Sequence, residues 1–185
     1  MMPEISLNVL DVAQNSVKAG AKLIEITAEI DTAADSLVIQ INDDGCGMTA
    51  EQVERVIDPF YTTRTTRKVG LGVSFFKMAA EMSGGEFSIS SVPGTGTKVR
   101  ASFGVSNVDR MPLGDMSETV RSLIVYNTHI DYLYRYRVDD REFTLSTVEM
   151  KDVLGGVPLD TPDVSAYIRD FLTENTAEVN AGVIY

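Results

Sequence analysis

Four polar side chains near the N-terminus, Asn8, Asp11, Asn15 and Lys18, are spaced three and four residues apart. On a helix those steps share one face, so two amides, a carboxylate and an ammonium group form a single stripe. The plain reading is the solvated side of an amphipathic helix. A second cluster follows at Asp43-Asp44-Gly45-Cys46-Gly47-Met48. One Asp and one Gly would suffice for a turn, because Asp caps its own backbone and Gly accepts positive φ. A calcium loop with Gly45 at its sixth position would use Asn42, Asp44 and Glu51, but its first position falls on Gln40 and a strand pattern precedes it. The third reading is that Asp43 reads a ligand which the glycines allow to approach closely.

The elements that must position these groups can be read from periodicity. From about Glu4 to Ala19, apolar Leu7, Leu10, Ala13 and Val17 recur at helical spacing and Gly20 stops the helix. Alternation through Ile24, Ile26, Ala28 and Ile30, a polar turn, and alternation again from Leu37 to Asn42 predict two neighbouring strands. Thr49 caps a short helix reaching Val56, and Asp58 to Gly72 breaks all periodicity and reads as a loop. A helix resumes near Leu71 with Phe75, Met78, Ala79 and Met82 inward, and Gly84-Gly85 ends it. Glu86 to Ser91 and Thr97 to Phe103 form a hairpin around Pro93-Gly94-Thr95-Gly96.

After Phe103 the pattern changes. Met116 to Asn127 fits a helix or a strand, while Ile130 to Val138 and Arg141 to Leu145 form a hairpin turning at Asp139-Asp140. Ser146 and Glu149 are spaced as a capping box, and Thr161-Pro162-Asp163 opens a last helix with Val164, Ile168, Phe171 and Leu172 inward. The expectation is one domain over residues 1–104 and a C-terminal accessory segment over 105–185, made of helices and a β-hairpin.

The 185 residues are 44% hydrophobic, enough to fill a real core, and their net charge of −11 argues against nucleic acid or an anionic membrane as main partner. No apolar run approaches membrane-spanning length, and Met1-Met2-Pro3-Glu4-Ile5-Ser6 lacks the regions of a signal peptide. Cys46 is the sole cysteine, which excludes an internal disulfide and fits a reducing compartment. The expectation is a soluble cytoplasmic protein. Free cysteines are most often small buried hydrophobes, so Cys46 is expected to be buried. His129, the lone histidine, fits a structural or surface role better than phosphotransfer. Tyr132, Tyr134 and Tyr136 share one face of a strand, either as an exposed docking stripe or, more commonly, packed on the protein's own core.

Neither the P-loop pattern nor the three-glycine dinucleotide fingerprint occurs. Four blocks do occur in fixed order: Asp11 to Ala21, Asp43 to Met48, Val69 to Ser74, and Pro93 to Thr97, with Asp58-Pro59-Phe60 between the second and third. Together they resemble the Bergerat-fold ATPases, the superfamily of histidine kinases, type II topoisomerases, heat-shock chaperones of the ninety-kilodalton class and mismatch-repair ATPases. The resemblance covers roughly residues 5–104. It implies an α+β, two-layer sandwich with helices on one face of a mixed, mainly antiparallel sheet, carrying a small α/β C-terminal extension. It also implies ATP and Mg2+ as cofactors.

By that resemblance Asp43 accepts the exocyclic amine of adenine, Gly45 and Gly47 let backbone lie along the purine, Met48 gives an apolar wall, and Thr97 helps fix Asp43 and a water. Asn15 corresponds to the family asparagine that coordinates magnesium, and Lys18 can reach phosphate. Phe60 to Gly70 resembles a short ATP lid bearing Arg64, Arg67 and Lys68, closed by Gly70 and Gly72. The backbone N–H groups opening the helix at Leu71, Gly72 and Val73 would face the phosphates. Asp11 stands where hydrolysing members carry Glu and many histidine kinases carry Asn, and it is one methylene shorter than Glu.

Three functions stay open: a protein kinase acting in trans with Asp11 as base, similar to anti-sigma-factor kinases; a slow ATP hydrolase serving as a conformational switch; and a non-catalytic adenine-nucleotide sensor. Each implies an adenine nucleotide and an unidentified partner protein as ligands, and a homodimer is compatible with any of them.

Overall fold

A computed structural model describes residues 4–58 and 71–185. The elements run α1 (Ile5–Lys18), β1 (Leu23–Asp31), β2 (Ser36–Asp43), α2 (Ala50–Ile57), α3 (Leu71–Met82), β3 (Phe87–Val92), β4 (Gly96–Gly104), α4 (Met116–Tyr126), β5 (Asp131–Val138), β6 (Arg141–Ser146), α5 (Thr147–Leu154) and α6 (Pro162–Asn180). The stretch Met116 to Asn127, open between helix and strand in the sequence, forms a helix over Met116–Tyr126 with Asn127 as its C-cap. Asp115 accepts the Glu118 N–H at 2.8 Å and starts it. Thr49 caps α2 through a complete capping box with Gln52, and Ser146 accepts the Glu149 N–H to open α5.

The six strands form one sheet in the order β3-β4-β2-β1-β5-β6. Every neighbouring pair is antiparallel except β1 with β5, so the sheet is mixed and mainly antiparallel as expected. The strands after residue 104 thus continue the sheet, with β5 lying directly against β1.

Alternation decides which face is covered. Aligned across the sheet, Val99, Ile41, Ile26, Tyr134 and Leu145 form one buried row. The intervening residues, among them Arg100, Gln40, Thr27 and Arg135, form a polar row on the other face. Side chains alternate with period two, so a strand with one apolar parity can support helices on one side only. Tyr132, Tyr134 and Tyr136 are buried to 1% exposure or less, so the stripe is core. Tyr136 donates its hydroxyl to Asn180 Oδ1 at 2.7 Å, tying α6 to the sheet, and burial pushes its pKa up to about 12.

Two helix faces differ from the sequence expectation. In α1 the buried stripe is Ile5, Val9, Val12 and Ala13 with Ser16, whereas Leu7 is 37% exposed and Leu10 and Val17 are only partly buried. Helix α1 is flanked by α3 and α4 as well as resting on β2. That placement also buries Asn8, which the sequence pattern puts on a solvated stripe. In α3 the buried apolar side chains are Val73, Phe76 and Ala80; Phe75, Met78 and Ala79 are intermediate and Met82 is exposed. Nearly every side of α3 is apolar, so periodicity could not choose between stripes. Packing did choose: Phe76 meets Phe87 edge-on at 6.3 Å and Phe103 at 5.7 Å between ring centroids. Phe76→Ala is therefore expected to cost about 3–5 kcal/mol of unfolding free energy in denaturant titration, and Met82→Ala no more than about 0.5 kcal/mol. Equal costs would mean that α3 is rotated from this arrangement.

Candidate nucleotide site

Asp43 is the last residue of β2 and lies two positions beyond buried Ile41, so its side chain shares the helix-facing side of the sheet. There it meets α1. Ser16 Oγ donates to Asp43 Oδ2 at 2.5 Å, and the Gly45 N–H donates to Oδ1 at 2.9 Å. An ionised carboxylate has roughly four lone-pair sites, so two remain for a ligand amine and a water. Thr97 is the cross-strand partner of Asp43 in β4. Its hydroxyl is 2.8 Å from Ser91 Oγ, which also accepts the Met48 N–H at 2.8 Å and donates to Gly96 O at 3.0 Å. With the single Ser91 proton given to Gly96, Thr97 donates to Ser91 and retains lone pairs with which to hold a water.

Asp44 has a different role. Its Oδ1 accepts the N–H groups of Lys22 and Leu23 at 2.7 and 2.9 Å, clamping the start of β1. The Leu23 N–H, more than any other group, holds its carboxyl below the usual value of 3.8. The glycines are explained within the chain. A Cβ at Gly45 would lie 2.8 Å from the Ala19 Cβ, and one at Gly47, where φ is +65°, would overlap the Val92 carbonyl. Cys46, expected to be buried, is exposed. Its backbone joins the Ala19 carbonyl to the Gly94 N–H, and that turn points the thiol outward.

Asp11 and Asn15 are half-buried one turn apart on α1, and Lys18 is exposed in its last turn. Asp11 packs against the opening of α3, where a Cβ at Gly72 would come within 2.7 Å of its Cβ. Gly72 and Val73 are buried and Leu71 is 40% exposed. The structure therefore gathers Asp43, Thr97, Gly45, Gly47 and Met48 around the end of β2, and Asp11 with Gly72 where α1 meets α3. Phe60, Arg64, Arg67, Lys68 and Gly70 lie outside the described residues. Sequence reading missed Ser16 and Ser91. Ser16 directly follows Asn15, and helical geometry turns it about 100° toward the core, away from the stripe. Ser91 faces Thr97 across a hairpin whose register the turn sets.

The family model for histidine kinase-, DNA gyrase B- and HSP90-like ATPases matches residues 4–107. The chain belongs to this ATPase family. The match supports an ATP-binding domain of this family. The sensor histidine kinase YxdK of Bacillus subtilis is 33% identical over 97 residues, covering 50% of this chain and 30% of that protein. The sensor protein SrrB of Staphylococcus aureus is 33% identical over 101 residues, 52% of this chain and 17% of that one. The chain thus spans less than a third of the length of either relative. A solved N-terminal domain of a DNA repair protein superposes with a TM-score of 0.56 at 16% identity, over 78% of this chain and 53% of that one. That likeness speaks for the fold alone.

Ser16→Ala removes one of the two hydrogen bonds that orient the Asp43 carboxylate. It should weaken adenine-nucleotide binding about fivefold, as for one lost hydrogen bond of about 1 kcal/mol, with the thermal midpoint little changed; unaltered affinity would show that the contact does not position Asp43. Asp44 also gives a pH signature. Its folded-state pKa is depressed, so its contribution is complete above the unfolded value near 3.8 and disappears as pH falls through the lower folded value. Asp44→Asn should lower stability at neutral pH, and its deficit against wild type should close below about pH 4 in thermal scans. A deficit that persisted in acid would rule out the charge as its source.

Proposed function

We propose that this chain binds Mg-ATP between the end of β2, helix α1 and the start of α3, and uses it to phosphorylate or conformationally regulate a partner protein. The observation that carries the reading is Asp43. It is a carboxylate at a strand end, oriented by Ser16 and Gly45, with acceptor capacity left over for an amine. That donor–acceptor pattern suits adenine, and guanine would present a carbonyl at the corresponding position.

Magnesium fits the donor set. No group of three or more His, Cys, Asp or Glu that could hold a metal occurs among the described residues, so a cation here would take most of its ligands from phosphate and water. The half-buried amide of Asn15 supplies one neutral oxygen, which is adequate for a cation that keeps its hydration. When bound, the metal would neutralise phosphate charge. Asp11, one turn earlier, is the chain's own candidate to accept a proton from an attacking hydroxyl. Its contact with Gly72 puts it where α3 begins, so nucleotide at this point would touch both helices, and that contact favours conformational regulation as the second reading. The relatives named as sensor kinases support phosphotransfer. No described helix is long and apolar enough to cross a membrane, and we place the protein's action in the cytoplasm.

Calorimetric titration tests the site. Mg-ATP should bind and Mg-GTP should not, and Asp43→Asn should weaken ATP by about 10–100-fold, as for a lost hydrogen bond to a charged group. If the variant binds ATP like wild type, or GTP binds equally well, the adenine assignment fails. Asn15→Ala should abolish the magnesium dependence of binding. Incubation with γ-labelled ATP then separates the outcomes: labelled partner protein that disappears in Asp11→Ala supports phosphotransfer, free phosphate alone indicates hydrolysis, and neither product indicates sensing.

A further inference from the structure

Three strands away from Asp43, and outside the residues matched by the ATPase family, β6 borders a cavity of about 600 Å3. Its walls include Thr144 and Leu145 of β6, Met150 and Val153 of α5, and Tyr167 and Phe171 of α6. Consecutive strand residues point to opposite faces. Leu145 belongs to the buried helix-facing core and Thr144 to the exposed face. A cavity touching both must run along the edge of the strand. Among the described residues, strand β6 is last in the sheet and pairs with β5 alone, so the backbone groups of its other side face this groove. Beside them Val153 is 87% exposed, and Tyr167, whose ring centroid lies 6.2 Å from that of Phe171, is 60% exposed, so the lining presents apolar surface to solvent.

Charge narrows the occupant. Residues 147–180 hold seven carboxylates against two cations. Lys151 is paired with Asp131 at 2.6 Å and Arg169 with Asp170 at 3.2 Å. Among the described residues, the groove itself is lined by Glu149 and Asp163 and by no Lys or Arg. Both carboxylates stand in first helical turns, where a helix end contributes only about half a positive charge. The rim therefore stays negative. A second copy of this chain would bring the same carboxylates against themselves, which disfavours self-pairing.

We propose that this groove docks an extended segment of a partner protein that adds to the sheet beside β6 and alternates apolar residues with Lys or Arg. Its apolar side chains would enter between α5 and α6, and its cations, directed to the opposite face of the added strand, would be held near the sheet edge by the negative field of Glu149 and Asp163. The proposal is independent of the nucleotide reading.

Fluorescence anisotropy with the full chain tests it, using a short labelled peptide of alternating Val and Lys, a Val and Glu counterpart, and a Val and Lys peptide interrupted by Pro. The first should bind at least about tenfold more tightly than the other two. Combined Val153→Arg and Tyr167→Arg, both at exposed positions, should weaken it at least about tenfold with an unchanged thermal midpoint. Combined Glu149→Gln and Asp163→Asn should erase the preference for Lys over Glu. The proposal is overturned if the Val and Lys peptide does not bind, if the Glu or Pro peptide binds equally, or if the double Arg variant binds like wild type. It is also overturned if the chain sediments as a dimer that the double Arg variant splits, because the occupant would then be a second copy.

Discussion

At the end of β2, three stretches of backbone approach more closely than any Cβ would permit. Gly45 lies on Ala19, Gly47 lies on the Val92 carbonyl, and Gly96 lies on the Asp43 carbonyl. A side chain at any of these positions would push apart α1, the tip of the β3–β4 hairpin and the turn after β2. The close approach permits the Ser16 contact at one end of the Asp43 carboxylate and the Gly45 contact at the other. A side chain held from two directions loses less freedom when a ligand arrives, which is the advantage of a site built in advance.

The two neighbouring carboxylates show how one residue step assigns different work. Asp43 has the parity of Ile41 and enters the helix layer; Asp44 stands outside and fastens the first residues of β1. Helix α1 is shared in the same way. Val9, Val12 and Ala13 anchor it in the core, while Asp11 and Asn15 occupy its half-buried side. The framework that holds the candidate chemistry is thus also the hydrophobic core of the domain. Beyond residue 104 the chain continues the same sheet, and the parallel pairing of β5 with β1 places the apolar edge groove at the opposite end of one framework from Asp43.

Element positions were legible because each carried its own local signal: alternation in β1 and β2, a capping box at Thr49, and an Asp-Asp turn between β5 and β6. Helix faces were less so. Leu7 and Val17 have the helical spacing of a core stripe, yet Ile5, Val9 and Val12 take that place, because α3 and α4 flank α1 and redefine which sides are inside. Phe75 and Phe76 are adjacent and equally apolar, and only the rings of Phe87 and Phe103 select the second. Ser16 and Ser91 escaped notice because a hydroxyl carries no periodic signal and their partners lie across a fold or a hairpin.

The sequence by itself determined the α+β class, the order of helices and strands and the membership of the ATPase family, because these reside in local periodicity and in short blocks whose order is preserved along the chain. The tertiary structure alone decided that Asp43 is gripped by Ser16, that the tyrosine stripe of β5 is core, and that among the described residues β6 is paired on one side only. Each of these depends on which segments become neighbours, and that is set by packing between residues far apart in the chain.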